Sequence, residues 1–124
     1  MMDTKEFLAA CNGDYESTMR RLMGNEAFFC RLLPKVFQDN NFQKLGDALA
    51  LGDLETAFDA AHTVKGMVGN LGLTSLYDAI CEIVEPLRRQ DSKADYCALY
   101  QRIQQEYLRL EALSRQVEVG GTEK

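Results

Sequence analysis

Apolar residues recur at steps of three and four along most of the chain, which is the spacing of one face of an α-helix. Alternating runs of β-branched residues, which would indicate strands, are almost absent. Capping and breaking residues divide this pattern into predicted helices over 4–11, 14–23, 25–37, 41–51, 54–71, 74–86 and 92–113. The connections are short. We therefore expect an all-α protein with an antiparallel four-helix bundle core and additional short N-terminal helices.

Polar residues at the predicted helix starts can cap the first backbone N–H groups. The predicted caps are Asp14, Asn25, Asp53, Thr74 and a capping-box-like pair of Ser92 and Asp95. Pro34 lies inside the third predicted helix and should kink it or end it early.

The same pattern predicts the domain organisation. Residues 1–13 form a short N-terminal helix, residues 14–117 a helical bundle domain, and residues 118–124 a flexible tail. A chain of 124 residues fits one domain, and we find no internal repeat.

Composition and charge narrow the possible partners. The net charge of −5 disfavours wide contact with nucleic acid, and the only basic doublets are Arg20-Arg21 and Arg88-Arg89. No apolar run approaches the roughly 20 residues that cross a bilayer, and because residues 1–7 are already polar we expect no secretory leader. We expect a cytoplasmic protein, and a monomer.

The four cysteines are Cys11, Cys30, Cys81 and Cys97. They are far apart, form no CxxC pair, and each falls among apolar residues of a helical pattern. Buried, reduced thiols are the expected state. We expect no metal site.

His62 is the only histidine, and a helical wheel places it on the polar side of its helix. The residues on the opposite side form the predicted core stripe: Ala57, Ala60, Val64, Met67, Val68 and Leu71. Those that share the face of His62 are Glu55, Phe58, Lys65, Gly66 and Gly69. His62 should therefore point outward, with Glu55 and Asp59 as nearby carboxylates.

Two glycines on this face need an explanation, since each costs roughly 1 kcal/mol relative to alanine inside a helix. If close packing between helices explained Gly66 and Gly69, both would lie on the inward face. The helical wheel places them on the outward face with His62. Their common effect is to remove side chains beside His62, so that another protein can approach closely. Phe58, one turn before His62, adds an apolar contact for docking.

Lys65 lies one turn after His62, at neighbour distance on a helix. Its cation would stabilise an anion carried by the imidazole. Neutral imidazole is a nucleophile. Histidine, lysine and a cleared surface together suit reversible phosphorylation of a ring nitrogen.

The string His62-Thr63-Val64-Lys65-Gly66, followed by Asn70-Leu71-Gly72, resembles the signature of histidine-containing phosphotransfer (HPt) domains. The likeness extends over residues 14–113. It includes GDYESTMRRLMGNEAFFCRLLPKVF before the motif, LGDLETAFDAAHTVKG leading into it, and LGLTSLYDAICEIVEPLR after it.

The resemblance implies that His62 carries a phosphoryl group exchanged with aspartates of response-regulator receiver domains. A hybrid sensor kinase is one kind of protein that could carry such a receiver. It implies that Lys65 counters the phosphoryl charge, that Gly66 and Gly69 leave room for the receiver, and that Phe58 lies in the docking surface. Glu55 and Asp59 are further candidates for docking. The Mg²⁺ would come from the receiver, and the family implies phosphorylation at Nε2. No ATP-binding motif is present, so we expect a phosphoryl carrier without a kinase module.

Two other interpretations stay open. A helical adaptor could bind a receiver or another signalling partner without phosphorylation, but it would not need His62. A bundle binding metal or haem would need more ligands than one histidine with Glu55 and Asp59 nearby, unless a dimer supplied them.

Overall fold

The computed structural model describes residues 1–118, and α-helices joined by short turns make up nearly all of this part of the chain. The seven helices are α1 (Thr4–Ala10), α2 (Tyr15–Arg21), α3 (Glu26–Val36), α4 (Asn41–Ala50), α5 (Leu54–Asn70), α6 (Thr74–Arg88) and α7 (Tyr96–Ser114). Within that range, the one pairing of β type is an isolated bridge between Met2 and Val117. The prediction of an all-α fold is confirmed.

Helices α4 to α7 form the predicted four-helix core, in which each packs against the next. The first and last of the four also meet. Tyr100 donates a hydrogen bond to the Phe42 carbonyl at 3.1 Å, and the rings of Phe42 and Tyr107 pack edge to face at 4.7 Å between centroids. The shorter α3 packs against α5 and α7, and α1 packs against α2 and α3. These contacts close the bundle around one core.

Helix α5 occupies the middle of this arrangement, between α4 and α6. Its inward residues are small or β-branched and completely or almost completely buried: Ala57, Ala60, Ala61, Val64 and Val68. The predicted core stripe is confirmed at every position except Met67, which is only half-buried. Small side chains on α5 let both neighbours approach closely, and this leaves the opposite face of α5 turned outward.

Three predicted caps are confirmed by hydrogen bonds from backbone N–H groups. Asp14 accepts from Glu16 at 3.1 Å, Asn25 from Phe28 at 2.9 Å, and Asp53 from Thr56 at 3.1 Å. Each bond satisfies a donor that the helix itself leaves without a partner. Pro34 lies in the last turn of α3, which continues to Val36.

Two predicted helix starts are wrong. Thr74 is the first residue of α6 rather than its cap, and Leu73 takes the cap position without a side-chain bond. Helix α7 begins at Tyr96, with Asp95 as its cap, and not at Ser92. Asp91 explains the later start: its carboxylate accepts from the N–H of Lys93 at 2.9 Å and its carbonyl accepts from the Tyr96 hydroxyl at 2.6 Å. These bonds hold the segment before Asp95 as a turn.

The turn between α5 and α6 is a Schellman motif. The Leu73 N–H bonds to the Val68 carbonyl at 3.2 Å, and the Gly72 N–H bonds to the Gly69 carbonyl at 3.1 Å. Gly72 has a φ of +75°, and a Cβ there would collide with the Thr18 hydroxyl. Glycine at position 72 therefore allows both the turn and the close approach of α2 to the end of α5.

The N-terminal helix contributes to the same core, since Phe7 and Leu8 of α1 are fully buried. Near the other end of the chain, Met2 exchanges backbone hydrogen bonds with Gln116 and Glu118 at 2.9 and 3.0 Å. The domain boundary after residue 13 stays a prediction. Of the predicted tail over residues 118–124, all but Glu118 lies outside the described residues.

The cysteines match the expectation of buried thiols only in part. All four are free, but only Cys11 is fully buried, while Cys30 and Cys81 are half-buried and Cys97 is exposed. Burial raises the pKa of the Cys11 thiol to about 12, so this thiol stays protonated. Cys97 is a correction: it lies in the first turn of α7 on the side away from the core.

We expect Gly72→Ala to destabilise the protein by about 2–4 kcal/mol, because it combines a left-handed backbone with a collision against Thr18. Gly52→Ala is the matched control. Gly52 has a φ of +74° but nothing within 4 Å of the added methyl group, so only the backbone term of roughly 1–2 kcal/mol applies. Urea unfolding of both variants measures the difference, and equal losses would show that α2 does not press on this turn.

Candidate functional site

His62 lies on the outward face of α5 and is exposed to solvent, as predicted. Its imidazole packs against the Phe58 ring one turn earlier, with 5.6 Å between centroids and 31° between planes. The hydroxyl of the neighbouring Thr63 donates a hydrogen bond to the Asp59 carbonyl at 2.9 Å and not to the imidazole. Phe58 therefore limits the orientation of the imidazole while its outer edge stays open to solvent.

A concave surface with a cavity volume of about 600 Å³ begins at His62 and extends to the C-terminal end of α5. We call it the His62 groove. Residues from α2 with the preceding cap, from α5, from the α5–α6 turn and from α6 line it: Asp14, Ser17, Thr18, Arg21, His62, Lys65, Gly66, Gly69, Asn70, Gly72, Leu73, Thr74, Tyr77 and Asp78. The groove thus combines segments that are far apart in sequence.

Lys65 lines the groove beside His62 and is half-buried. The ion pairs formed within residues 1–118 all use arginines, namely Arg88, Arg102, Arg109 and Arg115. The Lys65 ammonium is therefore not neutralised by a carboxylate of the described chain. It can act as a counter-charge for an anion on the imidazole.

The surroundings of Gly66 agree with the hypothesis that glycine here leaves space beside His62 for another protein. A methyl group built at this position meets nothing within 4 Å, and the residue is exposed. The packing of this chain therefore does not demand glycine at position 66. The open backbone beside His62 is available to an incoming protein surface.

Gly69 differs from Gly66, because packing between helices does explain why this position is glycine. The expectation that both glycines only clear space for a partner is therefore wrong for Gly69. A Cβ at position 69 would lie 2.9 Å from Cε1 and 3.0 Å from Cδ1 of the Tyr77 ring. Tyr77 reaches from α6 across the edge of α5, so Gly69 makes room for a side chain of the same molecule. A helical wheel treats α5 alone and cannot reveal this contact.

Three other candidates lie outside the groove lining. Phe58 is half-buried and contacts His62 on α5, while the Arg88 guanidinium lies 5.3 Å from its ring centroid. Glu55 and Asp59 are exposed on the same helix, nearer its start. Their roles in docking stay predictions.

Arg21 is one of the groove residues that sequence reasoning did not identify as part of the site. Its Nε donates to the Asn70 carbonyl at 3.0 Å, and its terminal nitrogens donate to the Gly69 carbonyl at 3.3 Å and to the Ser17 hydroxyl at 3.0 Å. The Arg20-Arg21 doublet was the available signal. Contacts that span about 49 positions of sequence cannot be read from such a doublet.

The described residues show neither a cluster of metal ligands nor a membrane-spanning helix. Within residues 1–118, no group of three or more His, Cys, Asp or Glu side chains is arranged to hold a metal ion. None of the helices described has both the length and the apolar composition needed to cross a membrane.

Comparisons with known proteins agree with this geometry. The family model described as the Hpt domain matches residues 36–113, which is more than half of the chain. The fold is similar to the crystal structure of histidine-containing phosphotransfer protein B (HptB) from Pseudomonas aeruginosa PAO1. The TM-score is 0.73 at 24% sequence identity, and the match covers 84% of this chain and 91% of that chain. Comparison with the curated proteins found no match.

The two glycines should respond oppositely to alanine. Gly66→Ala should raise the free energy of unfolding by up to about 1 kcal/mol, because alanine favours the helix and the space is open. Gly69→Ala should lower it by roughly 1 kcal/mol, because the methyl group displaces the Tyr77 ring. Urea unfolding measures both changes.

A double variant isolates the contact with the ring. In a Tyr77→Ala background, Gly69→Ala should become neutral or stabilising, since the colliding ring is gone. If Gly69→Ala destabilises both backgrounds equally, Tyr77 is not the reason for this glycine.

Proposed function

This chain belongs to the Hpt domain family, and we propose that His62 is the residue on which it accepts and passes on a phosphoryl group. Histidine phosphotransfer in phosphorelay signalling is the function of the family to which the chain belongs. The observation that carries the assignment to His62 is that the only histidine of the chain lies exposed at the groove, within the matched residues.

The exposed imidazole of His62 can reach a phosphoryl group on a docked partner. A ring nitrogen of neutral His62 attacks the phosphorus of an aspartyl phosphate on a receiver domain. A phosphorus–nitrogen bond forms, the phosphorus–oxygen bond to the aspartate breaks, and the carboxylate leaves. We assign the attack to Nε2, the outer nitrogen. The phosphoramidate produced can react in the reverse sense with a second receiver aspartate.

Lys65 and Gly66 support this step in different ways. The Lys65 ammonium, one turn from His62 on the same face, offsets negative charge on the phosphoryl oxygens. Gly66 leaves the backbone open where the receiver must approach. We place the Mg²⁺ in the partner receiver, where it would stabilise the charge on the transferred group.

Hpt domains are phosphotransfer carriers rather than kinases, and they interact with receiver domains of response regulators. We propose further that this protein acts as a monomer in the cytoplasm, without an ATP-binding module and without nucleic acid as a partner. Its net charge of −5 supports the last point, because phosphate backbones repel an acidic protein. A hybrid sensor kinase could carry the receiver that supplies the phosphoryl group.

We expect His62→Gln to abolish acceptance of phosphoryl label from a phosphorylated receiver while leaving the fold unchanged, because the side chain is exposed. Incubation with a ³²P-labelled receiver, followed by gel separation, measures acceptance. Label on the wild type should be lost in acid and kept in alkali, as for a phosphoramidate.

Circular dichroism is the control for folding of the Gln variant. Label that persists on this variant would overturn the assignment of His62. A wild-type protein that binds the receiver but takes no label would instead favour a non-phosphorylated adaptor.

We expect Lys65→Ala to slow phosphoryl transfer by roughly three- to tenfold, as the loss of one partly exposed counter-charge implies. Reactions with the labelled receiver, quenched at successive times, measure the rate of phosphoryl transfer and the lifetime of the phosphohistidine. Lys44→Ala is the matched control, since Lys44 is an exposed lysine of α4 that lies outside the His62 groove. Equal effects of the two substitutions would mean that only net charge matters.

A further inference from the structure

We propose that Arg21 is a positioning residue of the His62 groove. Its guanidinium binds the C-terminal carbonyls of α5, and its charge makes that end of the groove favourable for the anionic aspartyl-phosphate site of a receiver. The proposal rests on the proposed function of His62, because it concerns the same docking event. It assigns to α2 a part in the site that lies outside the residues matched by the family model, which begin at residue 36.

The position of Arg21 follows from its hydrogen bonds. Its guanidinium reaches two consecutive carbonyls at the end of α5, Asn70 at 3.0 Å and Gly69 at 3.3 Å. On its own helix it also donates to the hydroxyls of Ser17 at 3.0 Å and Thr18 at 3.4 Å. A planar group with several donors suits this arrangement, whereas the single ammonium of lysine does not.

The end of α5 needs such a partner because a helix C-terminus carries about half a negative charge on its last carbonyls. The Schellman turn satisfies the carbonyls of Val68 and Gly69 with the N–H groups of Leu73 and Gly72. Arg21 provides the donor to Asn70. Without Arg21, this partial negative charge would face the groove and repel an anion.

The balance of charged side chains in the groove also indicates that Arg21 favours the binding of an anion. Arg21 and Lys65 supply two positive charges, and Asp14 and Asp78 supply two negative ones. Removal of Arg21 would leave two carboxylates against one ammonium, beside an unneutralised helix end. The groove would then oppose the approach of a phosphorylated aspartate rather than favour it.

Arg21 also fixes the wall of the groove. Its bonds to the carbonyls of Asn70 and Gly69 join α2 to the end of α5, where Thr18 already packs against Gly72. Its bonds to Ser17 and Thr18 hold the guanidinium against its own helix. A partner that docks on His62 therefore meets a wall held in place before it arrives. Such preorganisation reduces the ordering that binding would otherwise require.

The test compares Arg21→Met with Arg20→Met in phosphoryl transfer from a labelled receiver, at several receiver concentrations and ionic strengths. Arg20 is the adjacent exposed arginine of α2 and does not line the groove. In these single-transfer assays KM denotes the receiver concentration that gives half the maximal transfer rate, and kcat denotes that maximal rate. We expect Arg21→Met to raise this KM by about three- to tenfold with a smaller change in kcat, and to weaken the dependence of kcat/KM on salt. Arg20→Met should resemble the wild type.

The Arg21→Lys variant separates the effect of the positive charge from the effect of the guanidinium hydrogen bonds to two carbonyls. It should restore the salt dependence of kcat/KM but only part of the KM, since the charge returns without the bonds to both carbonyls. Thermal unfolding of each variant accompanies the kinetics. Because Arg21→Lys keeps the charge, it decides the question even if Arg21→Met folds poorly.

Two results would overturn the proposal. One is a lowered melting temperature in Arg21→Met with unchanged KM and salt dependence, which would make Arg21 purely structural. The other is an equal effect of Arg20→Met. Both results are compatible with normal labelling of His62 in the wild type, whereas failure of the proposed function would appear as label that is absent from the wild type or that persists in His62→Gln.

Discussion

The packing of α5 between α4 and α6 is the constraint on which the site depends. Its inward stripe of alanines and valines is fully or almost fully buried, so the helix cannot rotate without exposing this stripe or forcing larger side chains into the core. The orientation of the helix decides which residues face outward. His62 and Gly66 are exposed because Ala61, Val64 and Val68 are not.

Much of this could be predicted from the sequence, because the information is local. Helical periodicity identified the stripe of α5, and polar residues marked the starts of α2, α3 and α5. The outward placement of His62 follows from the same periodicity. The predicted start of α7 is wrong because Ser92 and Asp95 are both acceptable cap residues, and the turn around Asp91 decides between them.

What could not be predicted are the contacts between segments far apart in the chain. Gly66 and Gly69 are equivalent on a wheel, yet one borders open space and the other accommodates the Tyr77 ring. Arg20 and Arg21 are equivalent as a basic doublet, yet only Arg21 reaches the end of α5. In each pair the difference arises from a neighbouring helix, whose position depends on the whole fold.

The bonds of Arg21 have a consequence that follows from thermodynamic reciprocity. They join α2 to the end of the helix that carries His62, so the geometry of the groove depends on α2 remaining in place. If an ordered α2 strengthens the binding of a partner in the groove, the bound partner must stabilise α2 against local opening by the same free energy. Docking near His62 would then be recorded in the amide hydrogen exchange of a helix that carries no reacting atom.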